Sequence, residues 1–210
     1  MKRLSKADIN LNKNVYKNFL EMGVDDGWTS KDKLINFEQF LKICEYTNLP
    51  ITEASVLDVG SGTGDFGYYL NKMHVKKYVG VEIYEPAVDK AKMKYPEYEF
   101  IVGDFLEIDL PKFDFVYSSG STTAQLNTDN YVVLKHWIKK MWGLCNYGIV
   151  FNVLLERYPN ESNDEHLFLY DRLKVMELAA KTIPKSQMKV LVDDAGCGDG
   201  TEELHVYMYK

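Results

Sequence analysis

No zinc-type cysteine spacing, no excess of basic residues and no long apolar run occur in this chain of 210 residues, and each absence removes a class of function. Its three cysteines, Cys44, Cys145 and Cys197, are far apart and odd in number. That argues against a disulfide framework or a cysteine-held metal, and fits a reduced compartment. A net charge of −6 disfavours a groove for duplex DNA or an RNA helix, and equally disfavours docking on anionic membranes. The opening MKRLSKADIN has charge with no apolar core behind it, unlike a secretory signal, and no run is long enough to span a bilayer. The expected setting is the cytoplasm. Apolar residues make up 46% and charged residues 27%, a globular balance at a length that suits one domain.

What is present divides at about residue 50. Up to Pro50, strand character is missing. Ile9, Leu11, Val15, Phe19 and Leu20 recur at helical spacing, and so do Leu34, Phe37, Leu41 and Cys44 behind Thr29-Ser30. This predicts two helices joined by MGVDDGWTS. From Ser55 short apolar runs alternate with helical patterns. SVLDVG, KYVGVEIY, YEFIVGD, FDFVYSS and YGIVFNVLLE read as strands. DFGYYLNKM, PAVDKAKMKY and NYVVLKHWIKKMWGLC read as helices, the last with a core-facing stripe of Tyr131, Leu134, Ile138, Met141 and Trp142. Such alternation implies parallel strands with helices on both faces. The end departs from it: after the helix LYDRLKVMELAAKT, the strands QMKVLVDDA and TEELHVYMYK flank GCGDG, which reads as a hairpin turn.

The stretch VLDVGSGTGDFG, Val56 to Gly67, is the most informative. In a doubly wound sheet the ligand lies at the carboxyl ends of the strands, and this loop enters that crevice. Gly60, Gly62 and Gly64 permit a sharp turn and a close ligand. A dinucleotide fingerprint needs its third glycine where this chain has Asp65, and a phosphate-binding loop needs a lysine that is missing. Asp58 before the loop suits positive charge or hydroxyls; a helix-capping role is the plainer alternative. Glu82, closing the second strand, can accept from two ribose hydroxyls, with Ile83 as an apolar face for a base. Asp104, closing the third, can accept from an exocyclic amine, with Phe105 as a wall.

DVGSGTG, VEIY and VGDF, in this order and spacing, resemble the three motifs of the class I S-adenosylmethionine-dependent methyltransferases of small-molecule type. The resemblance runs from Ser55 to the C-terminus. It implies a three-layer, Rossmann-like α/β fold whose seven-stranded, mostly parallel sheet has the order 3-2-1-4-5-7-6 and ends in an antiparallel C-terminal hairpin. It also implies S-adenosyl-L-methionine as cofactor and S-adenosyl-L-homocysteine as product. The implied cofactor residues are Asp58, Gly60, Ser61, Gly62, Gly64, Glu82, Ile83, Asp104, Phe105 and Ser118. Residues 1–50 then form a helical lid on a core of residues 51–210.

The acceptor side is less legible, because the leaving group is already good and a base is needed only if the acceptor must lose a proton. The fourth strand ends in YSSGSTTAQLN. It lacks the Asp/Asn-Pro-Pro-aromatic pattern of adenine or amide methylation, and no cysteine near it serves cytosine chemistry. Asp114 is at the wrong end of its strand for a catechol-type metal site, and no metal is expected. Ser119 and Thr122 either orient an acceptor or cap the next helix. His166, in the insertion from Glu156 to Asp171, is a candidate base or a solvated loop residue, and Trp28 a lid residue or an apolar plug. GWTS before a helix carrying Phe37 is similar to a group of small bacterial methyltransferases, in which an arginine is expected where this chain has Asn36. The expected reaction is methyl transfer to a small molecule. Protein or RNA methylation, or a non-catalytic cofactor binder, are the alternatives.

Overall fold

Strands buried on both faces need apolar side chains at every position, and the runs that follow Ser55 provide them. The computed structural model describes residues 5–21, 30–155, 166–193 and 202–210. In chain order these form α1 (Lys6–Glu21), α2 (Ser30–Thr47), β1 (Ser55–Val59), α3 (Asp65–Lys72), β2 (Lys77–Glu82), α4 (Glu85–Lys94) and β3 (Glu99–Val102). Then come β4 (Phe113–Ser118), α5 (Asn130–Leu144), β5 (Cys145–Leu154), α6 (Arg172–Thr182), β6 (Gln187–Asp193) and β7 (Glu203–Tyr209). Both helices expected before residue 50 are present. Cys145, read from the sequence as the end of α5, is instead the first residue of β5.

The seven strands lie in the order β3-β2-β1-β4-β5-β7-β6. β1 pairs in parallel with β2 (Val59 opposite Val81) and with β4 (Asp58 opposite Tyr117). β7 pairs antiparallel with β5 and with β6, Asn152 facing His205 and Leu191 facing His205. GCGDG and the joining residues between β6 and β7 lie outside the described residues.

The period-two alternation of each strand splits the core into two layers. Leu57, Val59, Val116 and Ile149 pack with Leu134, Ile138 and Met141 of α5, with Val175 of α6 and with Val15 of α1. Tyr131 and Trp142, the ends of the expected α5 stripe, are partly buried against the same layer. Val56, Phe115, Tyr117 and Val150 face the other way, onto Phe40 and Ile43 of α2, Phe66 and Leu70 of α3, and Val88 of α4. The strand order reverses between β2 and β4, on either side of β1. The carboxyl ends there diverge into a crevice, which α1 and α2 approach from opposite layers.

α1 is pinned by a charge. Asp8 is fully buried, and its carboxylate accepts from Ser5 Oγ (2.7 Å), Asn127 N (2.8 Å), Thr128 N (3.2 Å) and Thr128 Oγ1 (2.7 Å). Burial works to raise its pKa, but the Ser5 and Thr128 hydroxyls and the two backbone amides outweigh it and hold the carboxyl at about 2. Among the described residues no helix is long and apolar enough to cross a membrane.

Candidate cofactor and acceptor site

The loop after β1 turns under the crevice through three left-handed glycines, Gly60 (φ 80°), Gly62 (φ 51°) and Gly64 (φ 84°). Two of the three also have close neighbours that leave no room for a side chain. A Cβ on Gly60 would overlap the Ser121 side chain, and one on Gly64 would lie 2.6 Å from the Phe100 ring. Gly64 therefore serves packing of α3 on β3, and it lines neither of the two cavities described next. Gly64 also takes the cap position of α3, which has no side-chain cap. Asp58 instead accepts from the Tyr78 hydroxyl at 2.7 Å.

Two adjoining cavities occupy the crevice. The first is lined by Asp58, Gly60, Ser61 and Gly62 with Ser119, Lys33, Asn36 and the rings of Phe37, Phe66 and Tyr117. The second is lined by Gly60, Glu82, Ile83, Asp104, Phe105 and Ser121, with Asn12 of α1 and Trp137 of α5. Tyr16 of α1 lines both, and its hydroxyl donates to Gly120 O at 2.9 Å. The register of β1 with its two neighbours brings the three sequence motifs to one rim.

Glu82 is buried, with one oxygen accepting from Gly62 N (3.1 Å) and the other from Tyr84 N (2.9 Å). Burial pushes its carboxyl above the usual range, against the amides of Tyr84, Gly62 and Ile83 and the charge of Lys13. A carboxylate has about four acceptor sites, so three amides still leave room for a ligand hydroxyl. Asp104 uses Oδ1 to accept from Leu106 N at 2.9 Å, while its buried Oδ2 has no hydrogen-bond partner among the described residues. Burial raises this carboxyl as well. Ser61 Oγ is a further buried atom without a hydrogen-bond partner among the described residues. Native proteins seldom leave such groups unpaired, so these orphans fit a ligand that brings donors.

At the other end, Asp65 opens α3 and meets three donors: Lys33 Nζ (2.8 Å), Lys94 Nζ (2.5 Å) and Tyr95 Oη (3.0 Å). The Asp65 carboxylate is thus shared by two ammonium groups. Behind the first cavity Asn152 forms a buried hub. Its Oδ1 accepts from Gly120 N at 2.8 Å, and its Nδ2 donates to Ser119 Oγ (3.0 Å), Glu203 (3.1 Å) and Asn36 Oδ1 (3.2 Å).

Other expected residues fall elsewhere. Ser118 accepts from Trp137 Nε1 at 3.1 Å and lines neither cavity. Thr122 is buried, its carbonyl accepting from the Tyr170 hydroxyl at 2.9 Å. His166 is exposed, in a groove with Leu11, Asn14 and Gln125. None of the four histidines lines either cavity. Trp28 lies outside the described residues, as do 156–165. Asp114 accepts from Ser55 N and Oγ at the opposite end of the sheet. Among the described residues no three His, Cys, Asp or Glu side chains gather as metal ligands. Asn12, Tyr16, Lys33, Tyr117 and Asn152 were not found by sequence reasoning. For the first two a signal existed: Asp8, Asn12 and Tyr16 repeat at four-residue spacing, a polar face on a helix otherwise expected to bury apolar groups.

A methyltransferase-domain family model matches residues 56–141, from β1 through most of α5. Strand order and crevice are those of the Rossmann-like methyltransferase fold, and residues 56–141 carry the similarity to the methyltransferase domain. Solved structures share the fold over nearly the whole chain. The 1,6-didemethyltoxoflavin-N1-methyltransferase of Burkholderia thailandensis, with its substrate and S-adenosylhomocysteine bound, superposes with a TM-score of 0.70 at 14% identity, covering 100% of this chain and 92% of that one. The magnesium protoporphyrin IX methyltransferase of Synechocystis, with bound S-adenosylmethionine, gives 0.67 at 14% identity over 98% and 100%. A TehB-like S-adenosylmethionine-dependent methyltransferase of Corynebacterium glutamicum gives 0.58 at 18% over 98% and 100%.

Proposed function

We propose that this chain transfers the methyl group of S-adenosylmethionine to a small-molecule acceptor. The observation that carries the reading is the single rim formed by Gly60–Gly62, Glu82 and Asp104, with buried acceptor atoms left over for a ligand. The cofactor supplies an activated methyl on a positively charged sulfur. Glu82 accepts from the ribose hydroxyls, Ile83 and Phe105 flank the adenine, and Asp104 Oδ2 accepts from its amine. The amino-acid tail lies over Gly60–Gly62, and Lys33, held at the rim by Asp65, meets its carboxylate. Phe37, Phe66 and Tyr117 line the first cavity, with Phe66 and Tyr117 centroids 4.4 Å apart, an aromatic surrounding that suits positive charge.

Residues 1–50 act as a lid over the core of residues 51–210. Tyr16 from α1 and Phe37 from α2 close the crevice from two sides, leaving a confined acceptor space beside Ser119. A confined space and a net charge of −6 favour a small molecule over RNA or protein. The two small-molecule enzymes of the same fold, acting on a toxoflavin precursor and a porphyrin, are compatible with this. The chain's part in the transfer is then alignment and water exclusion.

A second reading, a cofactor binder without transfer, is favoured by one contact: Tyr16 donates to Gly120 O between the two cavities and partitions the rim. A metabolite-fraction screen that follows S-adenosylhomocysteine release decides between them. Release with a low-molecular-mass fraction is the expected result. Label entering only RNA or protein, or binding without release in any fraction, overturns the proposal.

A further inference from the structure

The second cavity holds two buried oxygen atoms with no hydrogen-bond partner among the described residues, Asn12 Oδ1 and Asp104 Oδ2. Asp104 follows β3, at a motif legible in the sequence. Asn12 comes from α1, an element outside the region that carries the motifs, and only 8% of it is exposed. An acceptor left unpaired in such a place is costly, and a helix that merely covered the crevice would do better with an apolar side chain there. α1 does place apolar groups where it only packs: Val15 joins the core and Ile9 lies against it. Its position is also fixed, because the buried Asp8 carboxylate, one turn before Asn12, is bound to Asn127 and Thr128.

We infer that Asn12 belongs to the nucleoside site and, with Asp104, reads the exocyclic amine of adenine, each oxygen taking one N–H. This rests on the cofactor reading above. An amine carries two donors for the two acceptors. A keto oxygen at the same ring position would set its lone pairs against both, so the pair distinguishes adenine from hypoxanthine. α1 thus contributes to recognition as well as to enclosure.

Calorimetry with S-adenosylhomocysteine and its inosine counterpart, S-inosylhomocysteine, tests the assignment on wild-type protein and on Asn12→Leu, with thermal melting to establish that the variant is folded. Wild type binds the adenosine ligand more tightly. Asn12→Leu is expected to lose about tenfold for the adenosine ligand and little or nothing for the inosine one, so that the preference shrinks. Should Asn12→Leu not fold, Asn12→Ala carries the same comparison. Equal losses for both ligands, or no loss for either, overturn the role of Asn12. Failure of wild type to bind S-adenosylhomocysteine at all is a different result and overturns the cofactor reading itself.

Discussion

Lys33 Nζ lies 2.8 Å from Asp65 Oδ2, so that α2 is tied by charge to the first residue of α3 at the rim of the first cavity. Burial works to raise the Asp65 pKa, but the hydrogen bonds and charges of Lys33 and Lys94 lower it overall. This pairing holds the Lys33 ammonium beside the glycine loop. Lys33→Met is expected to weaken S-adenosylhomocysteine binding about tenfold, while 5′-methylthioadenosine, which has no carboxylate, binds as before. Paired titrations of the two ligands check this. An equal loss for both would remove Lys33 from the carboxylate site.

Glu82 links ligand affinity to pH. On the proposed cofactor placement its ionised form accepts from the ribose hydroxyls, and the raised pKa means that this form is depleted by acid sooner than for an exposed glutamate. Affinity for S-adenosylhomocysteine should fall as pH drops through this raised value, and Glu82→Gln should flatten the profile. The stability contribution runs the other way. For an acid raised on folding it is full below the unfolded pKa and is lost as pH rises through the folded one. Binding profiles and melting curves over the same pH range separate the two trends.

Asp8 has the opposite sign. With its carboxyl held at about 2, it stabilises the fold at all pH values above the unfolded carboxylate range, and this is lost as pH falls towards 2. Asp8→Asn replaces one acceptor oxygen with a donor facing Asn127, Thr128 or Ser5. A loss of about 2 kcal/mol at neutral pH is expected in chemical denaturation, shrinking in acid. A constant difference across pH would show that the charge is not what anchors α1.

Asn152 joins Gly120, Ser119, Asn36 and Glu203 through one buried amide. Asn152→Leu removes the acceptor of the Gly120 N–H and should cost about 2–3 kcal/mol in denaturant unfolding. A variant as stable as wild type would mean that the hub rearranges freely and does not fix Ser119.

His166→Ala should leave S-adenosylhomocysteine affinity unchanged, because the side chain is exposed in a groove that shares no residue with either cavity. A tenfold loss by calorimetry would place it back at the site.

The sheet was legible because its strands are buried on both faces and are cut by glycine, so that Val56–Val59 or Val79–Val81 could hardly be anything else. The three motifs were legible because each ends a strand at the rim of the crevice. Lys33, Asn12 and Tyr16 were not, since they lie on helices before the motif region and reach the crevice only through tertiary packing. Ser118 and Ser119 differ for a related reason. Along β4 alternate residues face opposite layers, and Ser118 points towards Trp137 while Ser119 meets the cavity. The pairing of Asp65 was not legible because its partners, Lys33 and Lys94, are about thirty residues away on either side.

The most direct measurement is calorimetry of the purified chain with S-adenosylhomocysteine and, in parallel, with NAD. One molecule of S-adenosylhomocysteine bound per chain, with no heat from NAD, is the predicted result. No binding of S-adenosylhomocysteine together with binding of NAD would contradict the assignment of this rim to adenosine and a sulfur-bearing amino acid.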